Sequence, residues 1–284
     1  MAELDTTALR LLTDGSFEGL LTAIFEAFRL RLPVAGIAAE DLYLPSLLEP
    51  TRNVASDPEK AQRVWTALAE RDATGAAMVR AAFLSGLPGI EDALWRALQK
   101  FFAQGLSLRA ILDEDIQTVY QAAWKVQGEI HAFLGLVRFE KASDGTLVAV
   151  IAPEYDIVAA LGPHFSRRFP KETWMIADSK RGLCLCHQEG ITELRHCDPA
   201  HLPRTARDVA QLAAPEDVRW QELWKSYYRS IGIAERKNPQ LMARNLPRKY
   251  WQYLPERQSA PLDSYPLAHF TTKGEGCNAW QKTA

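Results

Sequence analysis

Apolar residues recur every three or four positions along much of the first half of the chain, which is the spacing of helices that bury one face. The first such run follows a predicted turn at Asp14-Gly15, and Ser16 stands where an N-cap belongs. A short strand is predicted before this turn, and Pro33 is expected to end the helix. Residues 34–55 show no clear period and are predicted to be irregular, with a short edge strand at Leu42–Leu44.

A helical lobe is predicted from about residue 56 to about residue 130. Its first helix begins in SDPEKAQRVWTALAER, where Ser56 and Glu59 have the spacing of a capping box and Pro58 lies in the first turn. Glycine and proline breaks separate three further predicted helices, which cover Thr74–Ser85, Gly89–Gln104 and about 113–129.

Beyond residue 130 the apolar period shifts toward two, which indicates strands. Two strand-like runs in AFLGLVRFEKASDGTLVAVIAPEYD meet at Asp144-Gly145, a dipeptide typical of hairpin turns. A helix is predicted over Tyr155–Arg168, and up to three strands follow between Thr173 and His196. The predicted fold class is therefore α+β, with an antiparallel sheet, joined by the N-terminal strand, packed against helices and accompanied by the helical lobe.

The last third of the chain is predicted to complete the same domain. Residues 198–216 are rich in proline and alanine and indicate a connector, and DVRWQELWKSYYRSIGIAERKN predicts an amphipathic helix. We expect one compact domain over residues 1–256, with the helical lobe at about 56–130. Residues 257–284 lack periodicity, and we expect them to form a loosely ordered tail.

Composition adds an expectation about location. With 47% hydrophobic and 24% charged residues in 284, the chain has the composition of a soluble globular protein. The N-terminus lacks a basic start followed by an apolar run, and no apolar stretch approaches the roughly 20 residues of a membrane span. We therefore expect a cytoplasmic protein without membrane contact. In that compartment these cysteines should remain thiols: Cys184, Cys186, Cys197 and Cys277.

Charge is unevenly spread, although the formal net charge is only -2. Between Arg219 and Arg257 there are nine Lys or Arg residues against three Asp or Glu residues. Part of this excess lies beside aromatic residues in NPQLMARNLPRKYWQYLPE, and a second basic and aromatic group lies in HFSRRFPKETWMIADSKRG. Cations beside aromatic rings suit a nucleic-acid backbone and its bases. The candidates for nucleic-acid binding are Arg167, Arg168, Lys180, Arg181, Arg236, Lys237, Arg244, Arg248, Lys249 and Tyr250.

The prolines of the C-terminal group are expected to hold it in a short-turn form. In that form Trp251 would dock on the core while Arg244, Arg248 and Lys249 face outward. The alternative is that the segment is a latch that closes the fold. The latch accounts better for Trp251, whereas for the basic residues neither reading is favoured. The two basic groups could also join into one surface.

The sequence contains none of the common nucleotide, phosphoryl-transfer, metalloprotease or serine-hydrolase motifs. An enzyme would have to use dispersed titratable residues at the ends of elements. The candidates are Asp14, Glu18, His131, Glu154, Asp156, His164 and Asp178. Each also suits a helix cap or a surface charge, and Asp14 is accounted for by the turn and the Ser16 cap alone. No cofactor is expected.

Thiols and imidazoles cluster at Cys184, Cys186, His187, His196 and Cys197. Zinc sites more often use two cysteines separated by two residues, whereas these cysteines are separated by one and His196 adjoins Cys197. We therefore expect thiols on a strand and no metal site.

Five segments carry a resemblance to a known family. They are DGSFEGLLTAIFEAFR, SDPEKAQRVWTAL, EIHAFLGLVRF, IAPEYDIVAALGPHFSRRFPKETWMIADSKRG and LWKSYYRSIGIAERKNPQLMARNLPRKYWQYLPE. In this order, over about residues 9–256, the chain resembles a family linked to DNA metabolism and DNA repair that is built around a domain of unknown function. Leu246 stands where a methionine is more usual in that family, which is a conservative change.

The resemblance implies a biological context and not a reaction. Members of the family are typically partnered with a radical-SAM protein of DNA modification or repair, and related domains are fused to uracil-DNA glycosylase-like proteins. No glycosylase domain follows the Tyr250-Trp251 motif, so we expect any such activity to come from a separate partner.

Three functional hypotheses result. The first is a DNA-binding accessory of a repair or base-modification system that acts with a radical-SAM partner and positions damaged or single-stranded DNA. The second is a nucleic-acid hydrolase or glycosylase-like enzyme that uses the dispersed Asp, Glu and His residues. The third is a protein-interaction scaffold without affinity for DNA.

Overall fold

Helices and two separate sheets form the part of the chain that the structure describes. That structure is a computed structural model that describes residues 8–30, 33–44, 49–198 and 238–255, together with the single residues 205, 208 and 223. The predicted mixture of helices and strands is confirmed. The expectation that the N-terminal strand joins the later sheet is wrong, because that strand pairs with two strands of its own small sheet.

The first sheet is built around β1 (Leu9–Thr13), which pairs in parallel with β2 (Val34–Ala39) on one side and β3 (Thr51–Asn53) on the other. Helix α1 (Phe17–Arg29) follows β1, and the Ser16 side chain accepts a hydrogen bond from the Gly19 N–H as the predicted N-cap. The prediction that residues 34–55 are irregular is wrong, because β2 and β3 lie within them. Both β2 and β3 are edge strands, and neither alternates between apolar and polar residues: β2 reads VAGIAA, and β3 has only three residues, all exposed.

The predicted edge strand at Leu42–Leu44 is also wrong, since this segment forms a turn and then irregular backbone. Both leucines are among the exposed large apolar residues. These apolar residues therefore do not belong to a strand of either sheet.

Four helices form the predicted helical lobe: α2 (Pro58–Arg71), α3 (Ala73–Phe83), α4 (Ile90–Gln104) and α5 (Glu114–Leu136). The N-cap of α2 is Asp57 and not Ser56, because the Asp57 carboxylate accepts from the backbone N–H groups of Glu59 and Lys60. Ser56 instead donates to the Asp14 carboxylate over 2.7 Å.

Helix α5 continues well beyond the predicted end at Glu129, so the first of the two strand-like runs, which begins at Ala132, is wrong in its first part. Val126, Glu129 and Phe133 are all buried and lie on one helical face, which extends the 3.6-residue period through this stretch. Only Glu140–Lys141 forms a strand, β4.

The second sheet has the order β4-β5-β6-β7-β8. The strands are β5 (Leu147–Ile151), β6 (Trp174–Asp178), β7 (Leu183–Gln188) and β8 (Ile191–His196). The hairpin predicted at Asp144-Gly145 joins β4 to β5, and Gly145 has a φ of 89°, which favours glycine. Every pairing is antiparallel except β5 with β6, which are parallel and connected by α6 (Val158–Arg168).

The described C-terminal segment consists of α7 (Pro239–Asn245) and a 3-10 helix, Arg248–Tyr253. One continuous cluster of buried apolar side chains includes Leu11 of the first sheet, Val126 of α5, Ile176 of the second sheet and Tyr250 of the 3-10 helix. Several predictions fall outside the described residues, apart from single positions. They concern the connector, the amphipathic helix, the C-terminal tail, Arg236, Lys237 and Cys277. Across the described ranges, no helix has the length and apolar character needed to cross a membrane.

Candidate nucleic-acid interface

Two loops leave the second sheet at the carboxyl ends of its parallel pair, β5 and β6. The first loop, residues 152–157, contains Glu154, and the turn at 179–182 contains Lys180 and Arg181. In open α/β sheets, ligands commonly bind outside the carboxyl ends of parallel strands, and β5 and β6 form the one parallel pair of this sheet. This edge is therefore where a site is most easily built.

Arg181 joins the two loops. Its guanidinium donates to the backbone carbonyl oxygens of Pro153 over 3.2 Å and of Glu154 over 2.6 Å, and Nη1 also donates to Asp178 Oδ2 over 3.0 Å. The Asp178 carboxylate is fully buried at the end of β6 and also accepts from the backbone N–H of Lys180. A buried carboxylate paired in this way fixes the turn that presents Lys180.

Lys180 lies on the exposed side of the same edge. Its Nζ donates to the Glu154 carbonyl oxygen over 3.2 Å, so the ammonium group is held above the first loop. The C-terminal 3-10 helix adds Lys249, whose Nζ lies 2.5 Å from Glu154 Oε2, with about half of each side chain exposed. Cations from distant parts of the sequence therefore meet at one loop.

The buried carboxylate of Glu129 on α5 organises this meeting point. It accepts hydrogen bonds from the backbone N–H groups of Glu154 over 2.7 Å and Tyr155 over 2.9 Å, and from the Tyr250 hydroxyl over 2.5 Å. Glu129 thus fastens both the first loop and the 3-10 helix to the helical lobe. We call the group the Glu154 cluster; its members are Glu129, Glu154, Asp178, Lys180, Arg181, Lys249 and Tyr250.

Positive charges surround the exposed carboxylate of Glu154 and stabilise its charged form. The hydrogen bond from Lys249 chiefly, and then the charges of Lys180 and Lys125, lower the pKa of Glu154. Lys125 on α5 is therefore a further exposed cation within range of this loop. Arg248, which precedes Lys249 in the sequence, is also exposed, and its guanidinium lies 5.7 Å from the ring centre of Trp251. The cations outnumber the exposed carboxylate around which they gather, which suits an anionic partner.

Beneath this surface, burial is the main cause of the shifted pKa values of Tyr250 and Asp156. It raises the pKa of Tyr250, with the nearby Glu129 as the next cause, and so keeps the hydroxyl protonated as a donor. It also raises the pKa of Asp156, where the charge of Arg181 acts in the opposite direction.

Tyr250 was predicted to face a nucleic acid, and the structure instead places it in the core. Its side chain is 5% exposed, and its ring packs edge-on against Phe133 with centres 4.9 Å apart. A buried ring offers no face for a base. Trp251, which is predicted to dock on the core, is half-buried, and its Nε1 donates to the Leu246 carbonyl oxygen.

The second basic group of the sequence is divided by the fold. Helix α6 runs from the carboxyl end of β5 back to the start of β6, and its 11 residues span roughly 16 Å. Arg167 and Arg168 in its last turn therefore lie at the opposite end of the sheet from Lys180 and Arg181. Arg168 packs over the ring of Phe169, and Arg244 is exposed near the end of α7.

Two of the catalytic candidates, Asp14 and Glu18, belong to the first sheet. The Asp14 carboxylate accepts from the N–H and hydroxyl of Ser16 and from the Ser56 hydroxyl, and these hydrogen bonds lower its pKa. Asp14 therefore links the start of α1 to the residues before α2. Glu18 is exposed in the first turn of α1.

The other catalytic candidates lie around the second sheet. His131 is exposed on α5, and Glu154 and Asp178 are members of the Glu154 cluster. His164 on α6 packs edge-on against Phe165, and its Nε2 is buried without a hydrogen-bond partner among the described residues.

The cysteine and histidine group is separated by the alternation of the strand. Cys184 and Cys186 share one face of β7, while His187 lies on the other, stacked on Trp174 at 5.0 Å. Burial, followed by a hydrogen bond with Cys197, raises the pKa of the Cys184 thiol. Within the described part of the chain, no group of three or more His, Cys, Asp or Glu residues is arranged to hold a metal ion.

Sequence reasoning missed the residue that organises the cluster. Glu129 occupies a position on the apolar face of α5, between Val126 and Phe133. A charged residue is rarely buried without a partner, so a glutamate on an apolar helix face was the signal in the sequence that could have identified Glu129. The partners themselves come from loops that no local pattern connects to α5.

Comparison with known proteins points to the same half of the chain. Neither the curated proteins nor the solved structures include one that matches. The DUF4130 family model, described as a domain of unknown function, matches residues 88–256, which is more than half of the chain. The matched range contains α4, α5, the second sheet, the 3-10 helix and every member of the Glu154 cluster. This protein therefore belongs to the DUF4130 family.

Proposed function

We propose that this protein is a DNA-binding accessory of a DNA repair or base-modification system and acts with a radical-SAM partner enzyme. Its role is to position DNA, or the partner on DNA, and the bond-breaking chemistry belongs to the partner. The sequence resemblance supplies the repair context and the partner class. The structure supplies the surface on which the DNA contact is proposed.

The convergence of Lys180 and Lys249 on Glu154 is the observation that carries the proposal. These lysines are 69 residues apart in the sequence, yet both donate to the same residue. Both remain exposed, as does Lys125 on α5. Ammonium groups on a surface bind phosphates with little dependence on sequence and release counterions in doing so.

The position of the cluster supports a role in binding. It lies outside the carboxyl ends of β5 and β6, and its supporting residues Glu129 and Asp178 are buried and hydrogen-bonded. Cations fixed on such a base lose less conformational freedom when they bind a ligand than cations on a free loop.

Fluorescence anisotropy with labelled single- and double-stranded oligonucleotides, with and without uracil, tests the DNA contact at two salt concentrations. We expect affinity to fall steeply as salt rises. Binding absent at low salt would overturn the proposal and would leave the basic segment as a latch or a protein-docking surface. An unchanged mass of the oligonucleotide after incubation is expected for an accessory, and a cleaved or base-free product would instead favour an enzyme.

The partner class has a separate test. A purified radical-SAM DNA repair enzyme from the same source is mixed with this protein and analysed by size-exclusion chromatography with light scattering. A joint peak of the summed mass is expected. Two separate peaks, with and without DNA, would remove the radical-SAM partner from the proposal.

A further inference from the structure

The exposed face of α5 has an unusual composition. After the first turn the helix contains one carboxylate, Glu129, and that residue is 8% exposed. Solvent-facing helix surfaces usually mix acidic and basic residues. Here the exposed positions hold only neutral or basic side chains and glycine: Gln117, Thr118, Tyr120, Gln121, Trp124, Lys125, Gln127, Gly128, His131 and Gly135.

Two aromatic side chains stand out from this face. Tyr120 is 47% exposed and Trp124 is 68% exposed. Residues four apart on a helix are neighbours on one face, about 6 Å apart along the axis. Single exposed apolar residues are ordinary, but two adjacent rings on a face without exposed carboxylates form a surface suited to stacking.

Gly128 lies one helical turn after Trp124. A Cβ added there would meet nothing within 4 Å, so packing within the protein does not require glycine at this position. Glycine inside a helix costs about 1 kcal/mol relative to alanine. Its effect is to leave the helix surface flat beside the indole, which lets another molecule approach closely.

Lys125 connects this face to the Glu154 cluster. It follows Trp124 directly and lies one helical turn before Glu129, whose carboxylate accepts a hydrogen bond from the Glu154 backbone N–H. Its charge contributes to lowering the pKa of Glu154. The aromatic rings therefore have cations along one side. A single strand of nucleic acid presents this same pairing of base faces and phosphates.

We infer that the face of α5 formed by Tyr120, Trp124, Lys125, Gly128 and His131 is a stacking platform for the unpaired bases of single-stranded DNA. The inference rests on the proposed DNA-binding function and adds the strand type. Bases in a duplex already stack on their neighbours, so exposed rings gain contact area only with unpaired bases. The lysines of the cluster hold the phosphates of the same strand.

A protein is the competing occupant. An apolar groove lined by Met78, Leu108 and Ile111 borders Tyr120, and such grooves can accept a peptide side chain. Charge complementarity favours the nucleic acid, because the platform has no exposed carboxylate, includes Lys125 and adjoins the cations of the cluster.

The test compares an oligothymidine with an oligonucleotide of the same length made of abasic sites. Both carry the same phosphates, but only the first has bases to stack. We expect the wild-type protein to bind the oligothymidine at least about fivefold more tightly, since stacking on an aromatic ring contributes about 1–3 kcal/mol per base. In Trp124→Ala this difference should shrink toward zero while abasic binding stays unchanged.

Two further variants make the result decisive. Gly128→Glu adds a carboxylate to the platform at a position with open space, so the fold should be preserved while binding of single strands is lost. Ile191→Ala removes an apolar side chain of similar exposure from the edge strand β8 and serves as the control, with no change in binding expected.

The outcomes separate the inference from the proposed function. Wild-type binding of both oligonucleotides with equal affinity, unaltered in Trp124→Ala, would overturn the platform and leave the phosphate contact in place. Absence of wild-type binding to any oligonucleotide at low salt would overturn both. A large loss of thermal stability in Trp124→Ala would show that the indole packs within the protein and would also overturn the platform.

Discussion

The Tyr250 hydroxyl donates a hydrogen bond to the Glu129 carboxylate across 121 residues of sequence. The same carboxylate accepts from the backbone N–H groups of Glu154 and Tyr155. One buried side chain on α5 therefore holds both the loop after β5 and the C-terminal 3-10 helix. The latch and the cationic surface, which the sequence presents as alternatives, are two sides of one structure: Tyr250 faces inward and Lys249 faces outward.

The first prediction concerns the latch. Tyr250→Phe removes one hydrogen bond to a buried carboxylate while keeping the ring against Phe133, so we expect the free energy of unfolding to fall by about 1.5–3 kcal/mol. Urea unfolding followed by circular dichroism measures it. Tyr120→Phe removes a hydroxyl at an exposed position on α5 and should change stability by less than about 0.5 kcal/mol. Equal effects of the two changes would contradict the latch.

The second prediction concerns alkaline pH. The pKa of Tyr250 is raised in the folded protein above its unfolded value of about 10. The folded state then holds a proton that the unfolded state loses, so the contribution of Tyr250 is fully present below pH 10 or so and is lost as pH rises further. The free energy of unfolding should therefore begin to fall near pH 10 in the wild type and continue to fall as pH rises above it, and it should fall less steeply in Tyr250→Phe. Parallel profiles would show that Tyr250 does not control this loss.

Much of the helical lobe could be predicted from the sequence because its helices carry strong amphipathic periods and clear breaks. Errors arose where two patterns overlapped. Residues 132–136 fit both a strand and the end of α5. They are helical in the structure, where Glu129 and Phe133, four residues apart, are buried on the same helical face. The capping residue of α2 was misplaced by one position, because Ser56 and Asp57 are both good caps and only the structure shows Ser56 bound to Asp14.

The candidate site was only partly accessible from the sequence. Composition indicated the cations, but which of them meet depends on the β5-α6-β6 crossover, which brings Lys180 to one end of the sheet and carries Arg168 to the other. The platform on α5 was missed because Tyr120 and Trp124 fit a helical period, and exposure distinguishes them from core residues. Such information comes from tertiary packing and not from local pattern.

The third prediction tests which basic group binds DNA. Arg248→Ala with Lys249→Ala should weaken binding of all sequences and make the slope of log affinity against log salt less negative by up to about two. Thermal stability should change little, because the Lys249–Glu154 pair is half exposed and such pairs contribute about 0–1 kcal/mol. Anisotropy titrations at several salt concentrations measure the slope.

Arg167→Ala with Arg168→Ala is the matched control, since it removes the same charge from the opposite end of the sheet. Its effect on affinity and on the salt slope should be smaller than that of the first double variant. If the control weakens binding as much or more, the DNA contact lies at the end of α6 and the Glu154 cluster is not the interface.

The last prediction removes the carboxylate around which the cations gather. In Glu154→Gln the side chain loses its charge, while the backbone of residue 154 still donates to Glu129 and still accepts from Lys180 and Arg181. The loop should therefore keep its place, and Lys249 becomes available to a phosphate. We expect DNA affinity to rise a few-fold at low salt and the gain to diminish at high salt, because screening weakens the charge difference. Glu154→Asp, which keeps the charge, should bind like the wild type. Weaker DNA binding by Glu154→Gln would indicate that the carboxylate itself positions the ligand, and the role assigned to Glu154 would have to change from a neutralising partner of Lys249 to a direct contact.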